Sequence, residues 1–412
     1  MATIRVGLIG LSTNAISSWA EKAHLPYLQS NPRYEITALC NTSISSAEKA
    51  INHFNLPVST KAYDSVAALA ADPDVDLVIV SVRVQNHYEA AKPALLAGKD
   101  VFCEWPLSVN ATEARELAAL AREKGVKTIV GVQGRASPVV VKLKELVNSG
   151  AIGKVVSTDV AASLGPRIEA WTENASFILD INSGGTPLNI RFGHFLDPFC
   201  HVLGEFENHH SLLATNGKEV KVYDVPLADL ARAAEDPQKP YRVAQRTSSD
   251  EILLHGRLEG GAVASLHFRT GPPEPDGMGL RWLITGTQGS IEISHPQTVA
   301  FLQFMDTKIR VRKYGGDVEE VGVEWDQEGA FKAYGEITFA ANTGRLYQAW
   351  ADGDTSFIMD FEQAVRRHEL IDDMIKQADK ERMWSGVREW PIFSKLRVYF
   401  ESKQSQVIMT EF

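Results

Sequence analysis

The sequence predicts an α/β chain in two parts. An N-terminal doubly wound parallel sheet comes first, then an α+β part with a large, mostly antiparallel sheet. Three observations predict it. Continuous apolar runs alternate with helix-like patterns over the first third of the chain. From about residue 136 the apolar runs follow one another directly, several joined by Gly-rich turns. The length of 412 residues is too great for one hydrophobic core.

In order, IRVGLIGL (residues 4–11) is apolar throughout, as a parallel strand covered on both faces must be. A helical stretch follows to about Gln29. YEITALC (34–40) reads as the second strand and SSAEKAINHF (45–54) as a helix with a Ser cap. VDLVIVSV (75–82) is another buried strand, and HYEAAKPALLAG (87–98) a helix ending at a glycine. After strand DVFCE (100–104), residues 110–125 form an amphipathic helix with an Asn cap, Glu113 three residues on and a Gly stop. KTIVGVQ (127–133) is the strand after it. The first domain is expected to span 1–135 and the second 136–412. The second opens with a helix over 138–149 and strand VVSTDVAAS (155–163). Strands EILLHGRLEG, GAVASLHFRT, LRWLITGTQGSIEIS, VAFLQFM (299–305) and KIRVRKY follow. Helices are expected over 344–351 and 357–380, and 272–279 as a turn or loop.

Composition narrows the function. Hydrophobic residues make up 44% and charged residues 23%, as in soluble globular proteins. A net charge of −10 argues against direct nucleic-acid binding through a basic face. Cys40, Cys103 and Cys200 are too few for a disulfide framework and fit a reducing compartment. MATIRVGLIG enters a strand directly and lacks a signal-peptide layout. No apolar run approaches the roughly 20 residues of a membrane span. Cytoplasm is the expected location, or the nucleus for a regulator.

The turn after the first strand suggests dinucleotide binding of the Rossmann kind. A full fingerprint needs glycines for the tight turn, for approach of the pyrophosphate and for helix packing. Gly10 fills the first place, Ser12 the second and Ala15 roughly the third. An ordinary strand-to-helix turn is the bland alternative. At the end of the second strand, Asn41 and Thr42 stand where an acid would hold the ribose of NAD. With no acid there, the expectation leans slightly to NADP(H) over NAD(H).

Read together, these stretches resemble the glucose–fructose oxidoreductase / inositol dehydrogenase (Gfo/Idh/MocA) family. The resemblance rests on VQNHYE with Asn86 and His87, AGKDVFCEWPL, RASPVVVKLKELVNSGAIGKV, ITGTQGSIEI and SFIMDFEQAVRRHELIDDMI, in that order. It implies a cofactor pocket with Gly10, Ser12, Asn41, Thr42, Asn86, His87, Glu104, Trp105 and Arg135 around it. It also implies His194 as the catalytic group, because SGGTPLNIRFGHFLDPFCHVLG carries the family's histidine with Asp197 after it.

The departures are informative. The family's Glu-Lys-Pro lysine orients substrate and helps move a proton, which needs an amine of tunable pKa. Trp105 stands there, and an indole donates one hydrogen bond without titrating near neutral pH. The family's acid four residues before the histidine is replaced by Ile190, with Asn189 beside it. Both changes resemble the branch of a yeast galactose/lactose regulatory repressor, which also has relatives among fungal enzymes. Trp105 therefore has two readings, padding at the domain interface or stacking on cofactor or ligand. Arg135 is read as a site residue or an ion-pair partner. No metal site is expected.

Two functions follow. One is an NAD(P)-dependent enzyme acting on a small oxygenated substrate with non-standard acid/base groups. The other is a dinucleotide-sensing regulator that masks a transcription activator, which needs differential affinity rather than turnover. A homodimer through the C-terminal sheet is expected in either case.

Overall fold

The protein is described by a computed structural model covering residues 3–14, 18–297, 301–325 and 338–385. Its first sheet has six parallel strands: β1 (Ile4–Ile9), β2 (Tyr34–Cys40), β3 (Lys61–Tyr63), β4 (Leu77–Val80), β5 (Asp100–Glu104) and β6 (Thr128–Gly131). Their order is β3-β2-β1-β4-β5-β6, so the strand order reverses beside β1, where doubly wound sheets bind ligands. Helices α1 (Leu25–Ser30), α2 (Ile44–His53), α3 (Val66–Ala71), α4 (His87–Leu96) and α5 (Ala111–Lys124) connect the strands. The α5 caps are those the sequence shows, whereas α2 starts one residue before the expected 45–54 stretch and takes its Ser cap from Ser43. Ser43 accepts from the Ser46 amide, Asn110 from the Glu113 amide, and Gly125 ends α5 at φ +64°. The central strands are buried on both faces, which explains their unbroken apolar runs.

After α6 (Pro138–Asn148) come two more sheets. The larger is built from β7 (Val155–Ser163), β9 (Phe206–Ala214), β12 (Glu251–Leu258), β13 (Val263–Arg269), β14 (Leu280–Gly286), β15 (Gly289–His295), β16 (Lys308–Lys313) and β17 (Val318–Val321). Every neighbouring pair is antiparallel except β13 with β7. The smaller joins β8 (Ala170–Thr172), β10 (Glu219–Tyr223) and β11 (Arg242–Gln245), flanked by the short helix α8 (Leu230–Glu235). One face of the large sheet buries Phe268 and Trp282 against Phe195 and Phe199 of α7 (Gly193–Leu203). Each such ring contributes about 1.5–3 kcal/mol. The alternation that predicts β12–β16 is this one-sided burial.

The last helices return to the first sheet. α9 (Thr338–Asp352) packs near α1, and α10 (Phe361–Ser385) lies along α5 and α7. The Val130 amide donates to Met359 O at 2.7 Å, so the lead into α10 joins the edge of β6. α10 begins at residue 361 rather than 357 because Asp360 caps the Gln363 amide. α9 begins before the expected residue 344, continuing a pattern that Gly344 interrupts only in composition.

One predicted strand is not formed among its described residues. Val299 and Ala300 of VAFLQFM lie outside the described residues, and 301–305 form turns. Phe301 and Phe304 are three apart and lie on one side of that turn, a spacing no strand gives. The strands the sequence reading lacks are mostly short and polar. β17 is almost wholly exposed, and β10 alternates with charged residues.

Candidate functional site

The site begins where β1 ends. Gly10 has φ +102°, and a Cβ there would lie 2.2 Å from Ser81 O, so only glycine lets β1 and β4 approach this closely. Ser12 follows in the loop and accepts from the Asn14 amide at 3.2 Å. Ala15 lies outside the described residues. A cavity of about 390 Å³ opens beside this loop. It is lined by Gly10, Ser12, Asn41, Thr42 and Asn86, all expected site residues, together with Asp64 and Glu89. The Asn41 amide group donates to Leu11 O at 2.8 Å and Ser46 O at 3.3 Å, so it braces the loop from the end of β2. Burial, then the nearby Asp64 charge, pushes the Cys40 thiol up to about 11, which keeps it protonated at neutral pH.

The other expected cofactor residues stand behind this cavity. Both ring nitrogens of His87 reach carbonyls, Pro106 O at 2.7 Å and Val82 O at 3.1 Å. That ring ties the loop after β4 to the turn after β5, and burial lowers its pKa. Glu104 faces inward: Oε1 is 2.7 Å from His24 Nε2, and Oε2 accepts from Gln133 at 3.1 Å. His24 Nδ1 is in turn 2.7 Å from the Tyr347 hydroxyl of α9. Arg135 grips the fully buried Asp197 carboxylate through Nε and Nη2 at 2.7 and 2.8 Å and donates to Ile358 O. Burial pushes Asp197 up, but Arg135 and Arg367 outweigh it and hold the carboxyl below its usual range. The acid that trails His194 in sequence is thus spent on an ion pair between α7, the turn after β6 and α10.

Trp105 is 5% exposed. Its Nε1–H donates to Asn189 O at 2.8 Å, and its ring lies 4.9 Å from that of His368 on α10. Gly193 makes room for it, since a Cβ there would approach Nε1 to 2.6 Å. The indole therefore packs between the turn after β5, α7 and α10. Next to it the chain makes a wide turn over Leu188–Phe192, where the Phe192 amide reaches Pro187 O five residues back. Such a turn holds one residue more than an α turn. One turn before His194 therefore leads to Asn189 as well as Ile190, and Asn189 is the buried one of the two. Its Oδ1 accepts from the Thr186 hydroxyl at 2.6 Å.

His194 is half-buried, and its Nδ1 has no hydrogen-bond partner among the described residues. Burial lowers its pKa to about 4, against the weaker upward pull of Glu104 and Asp197. It is a neutral imidazole at pH 7. Sequence reading missed Asp64 and Glu89 because the first directly follows β3, a strand of only three residues, and the second lies on an exposed helical turn. Among the described residues, no group of three or more His, Cys, Asp or Glu could hold a metal ion.

A glycine turn at the switch point of a doubly wound sheet, with a cavity beside it, is the arrangement of the dinucleotide-binding folds. Residues 4–132 match the oxidoreductase family with an NAD-binding Rossmann fold, Gfo/Idh/MocA, and residues 138–295 match the C-terminal domain of Gal80p. The chain belongs to the Gfo/Idh/MocA family. It is 31% identical over 382 residues to the dehydrogenase aclE of Aspergillus oryzae, covering 91% of this chain and 96% of that one. It is 30% identical over 302 residues to the galactose/lactose metabolism regulatory protein GAL80 of Kluyveromyces lactis, covering 70% of this chain and 63% of the regulator. In fold it resembles a super-repressor mutant of Gal80p from Saccharomyces cerevisiae, with TM-score 0.78 at 24% identity over 92% of this chain and 97% of the other. An apo levoglucosan dehydrogenase gives 0.72 at 20% over 92% and 98%. The relatives thus include both dehydrogenases and a transcriptional regulator.

Proposed function

We propose that the chain is an NAD(P)-dependent dehydrogenase of a small oxygenated substrate. The observation that carries this reading is His194, half-buried with Nδ1 unpartnered, on the helix that enters the junction beside Trp105. The dinucleotide, when bound, supplies hydride chemistry. The chain supplies the rest. Gly10 and Ser12 admit the phosphates at the turn, Asn41 and Thr42 face the ribose, and Asn86 closes the far wall. His87, Glu104, Trp105 and Arg135 act from behind as positioning residues. His194 takes the proton of the substrate hydroxyl at Nδ1, in the tautomer that leaves this nitrogen free.

The lining of the cavity leads us to favour NAD(H) over the NADP(H) expected from the sequence. Asp64 and Glu89 line it, and among the described residues no Lys or Arg does. A 2′-phosphate would meet two carboxylates and no cation, whereas ribose hydroxyls would find acceptors. NAD(H) is the proposed cofactor.

The two domains are taken as 1–135 and 136–412, with α9 and α10 of the second closing over the first. The chain is placed in the cytosol or nucleus; no helix among the described residues is long and apolar enough to cross a membrane. A homodimer would use the outer face of the large sheet, where Val156, Leu212 and Val263 are exposed. A second reading, a dinucleotide-sensing regulator that binds an activator, is favoured by the indole at position 105 and by the Gal80p-type C-terminal domain.

Titration of NADH and NADPH by tryptophan quenching tests the cofactor, with NADH expected about tenfold tighter or more. Absence of dinucleotide binding would sink both readings. In a screen with polyols, sugars and ketones, His194→Ala should lower kcat by about 10²–10⁴ while leaving NADH affinity unchanged. NADH binding without turnover, together with capture of an acidic activator peptide, would favour the regulator.

A further inference from the structure

In NAD-binding folds an acid at the end of the second strand holds the adenosine ribose, and here Asn41 and Thr42 stand in its place. The Asn41 side-chain nitrogen is spent on Leu11 O and Ser46 O, so only its uncharged oxygen is left. A carboxylate reaches the same corner from the neighbouring strand. β3 pairs in parallel with β2, Cys40 opposite Tyr63, and the Asn41 amide donates to Tyr63 O at 3.1 Å. Asp64 is the next residue, so it stands beside Asn41 at the end of the sheet, where it lines the cavity of about 390 Å³. Its charge reaches the Cys40 thiol in the same wall, which burial raises first and Asp64 raises further.

The other acids of this segment are tied to cations. Asp72 and Asp74 hold Lys61, and Asp76 holds Arg5. Among the described residues the Asp64 carboxylate has neither a hydrogen bond nor an ion pair. An unpartnered carboxylate is ordinary on an open surface. One that lines a cavity at the C-terminal ends of parallel strands is placed to meet a ligand. The corner would otherwise suit a phosphate. The hydroxyls of Thr42 and Ser46 line it, and Ser46 lies in the first turn of α2, whose dipole favours anions. Asp64 opposes them. Glu89 comes from α4, beyond β1, and shares its charge with Lys92 on its own helix, so it opposes them less.

We propose that Asp64 sets the choice of dinucleotide: from the third strand it does the work of the missing second-strand acid, accepting from the adenosine ribose hydroxyls and shutting out a 2′-phosphate. The inference rests on the dinucleotide-binding reading and needs no turnover. A rival role for Asp64 is to favour the start of α3, which follows the Ser65 cap. That role would appear in stability and not in the choice between two dinucleotides.

The test titrates NADH and NADPH by tryptophan quenching against the full chain and its variants Asp64→Asn and Glu89→Gln, with Tm measured for each. Asparagine keeps the shape of the side chain and removes its charge. The parent should bind NADH about tenfold tighter than NADPH, or more. In Asp64→Asn, NADPH should bind at least about tenfold tighter than it does to the parent, and NADH a few-fold weaker, with Tm unchanged. Glu89→Gln should move the ratio by less than about threefold. With NADH bound by the parent, a ratio that Asp64→Asn leaves unchanged overturns the proposal alone. So does a parent that prefers NADPH, or a larger change from Glu89→Gln than from Asp64→Asn. A fall in Tm without a change in ratio assigns Asp64 to the start of α3 and overturns it as well. If the parent binds neither dinucleotide, the dinucleotide-binding reading fails and the proposal falls with it.

Discussion

The two ends of the cleft are built in opposite ways. At Gly10 the chain leaves room: a residue without Cβ, a small serine after it, and a cavity of about 390 Å³ with exposed walls. At Trp105 it removes room: an indole in the junction, bonded to Asn189, wedged against Gly193 and backed by His368. The contrast separates two questions that the motifs run together. Binding a dinucleotide depends on space at the first end. On the dehydrogenase reading proposed above, what happens to a substrate would depend on which polar atoms the second end leaves without a partner; there His194 Nδ1 has none among the described residues and the indole N–H is already used.

The contrast can be broken from either side. The largest effect is expected from Asp197→Ala at the packed end, because Arg135 would be left buried without its carboxylate, while Arg367 keeps Glu205. Thermal and denaturant unfolding should show a loss of about 3–5 kcal/mol. A loss below about 1 kcal/mol would mean that water reaches the pair. At the open end, Gly10→Ala drives a Cβ into Ser81 O and strains a left-handed backbone. NADH affinity should fall about tenfold to a hundredfold, with about 1–2 kcal/mol of stability. Gly193→Ala should cost about 1–3 kcal/mol by displacing the indole, yet leave NADH binding nearly untouched. If Gly193→Ala abolishes NADH binding instead, the two ends are not separate.

Much of this was legible in sequence and some was not, for physical reasons. The parallel strands, the capped helices and the sheet hairpins announce themselves because burial on two faces, one face or one stripe leaves a period in the chain. Of the five expected residues that line the cavity, Gly10 and Ser12 were legible from the turn after the first strand, Asn41 and Thr42 from the end of the second, and Asn86 from the family resemblance. Asp64 was not, because its place in the cavity depends on β3 lying beside β2, and β3 leaves only three residues of pattern. Asn189 was obscured by counting four residues back along an assumed α-helix, when the chain makes a wider turn there. The fate of Trp105 hinged on Gly193, 88 positions later, and no local rule connects the two.

The finest test concerns the ring behind the indole. His368 is 1% exposed, and burial first, then the neighbouring His87, lowers its pKa to about 3. In the unfolded chain it titrates near 6.5, as an ordinary histidine does. Between these values the unfolded chain binds a proton that the folded protein refuses. Stability is therefore undiminished above about pH 6.5 and falls as the pH drops towards 3, by about 1.4 kcal/mol per pH unit from this group. His368→Phe keeps an aromatic ring against Trp105 and removes the titration. The difference in unfolding free energy between pH 7 and pH 5.5 should then be about 1 kcal/mol smaller in the variant than in the parent. If the two proteins lose stability in parallel, His368 is protonated or solvated in the folded state. The packed end of the cleft would then be wetter than its geometry shows, and the contrast with the Gly10 end would weaken.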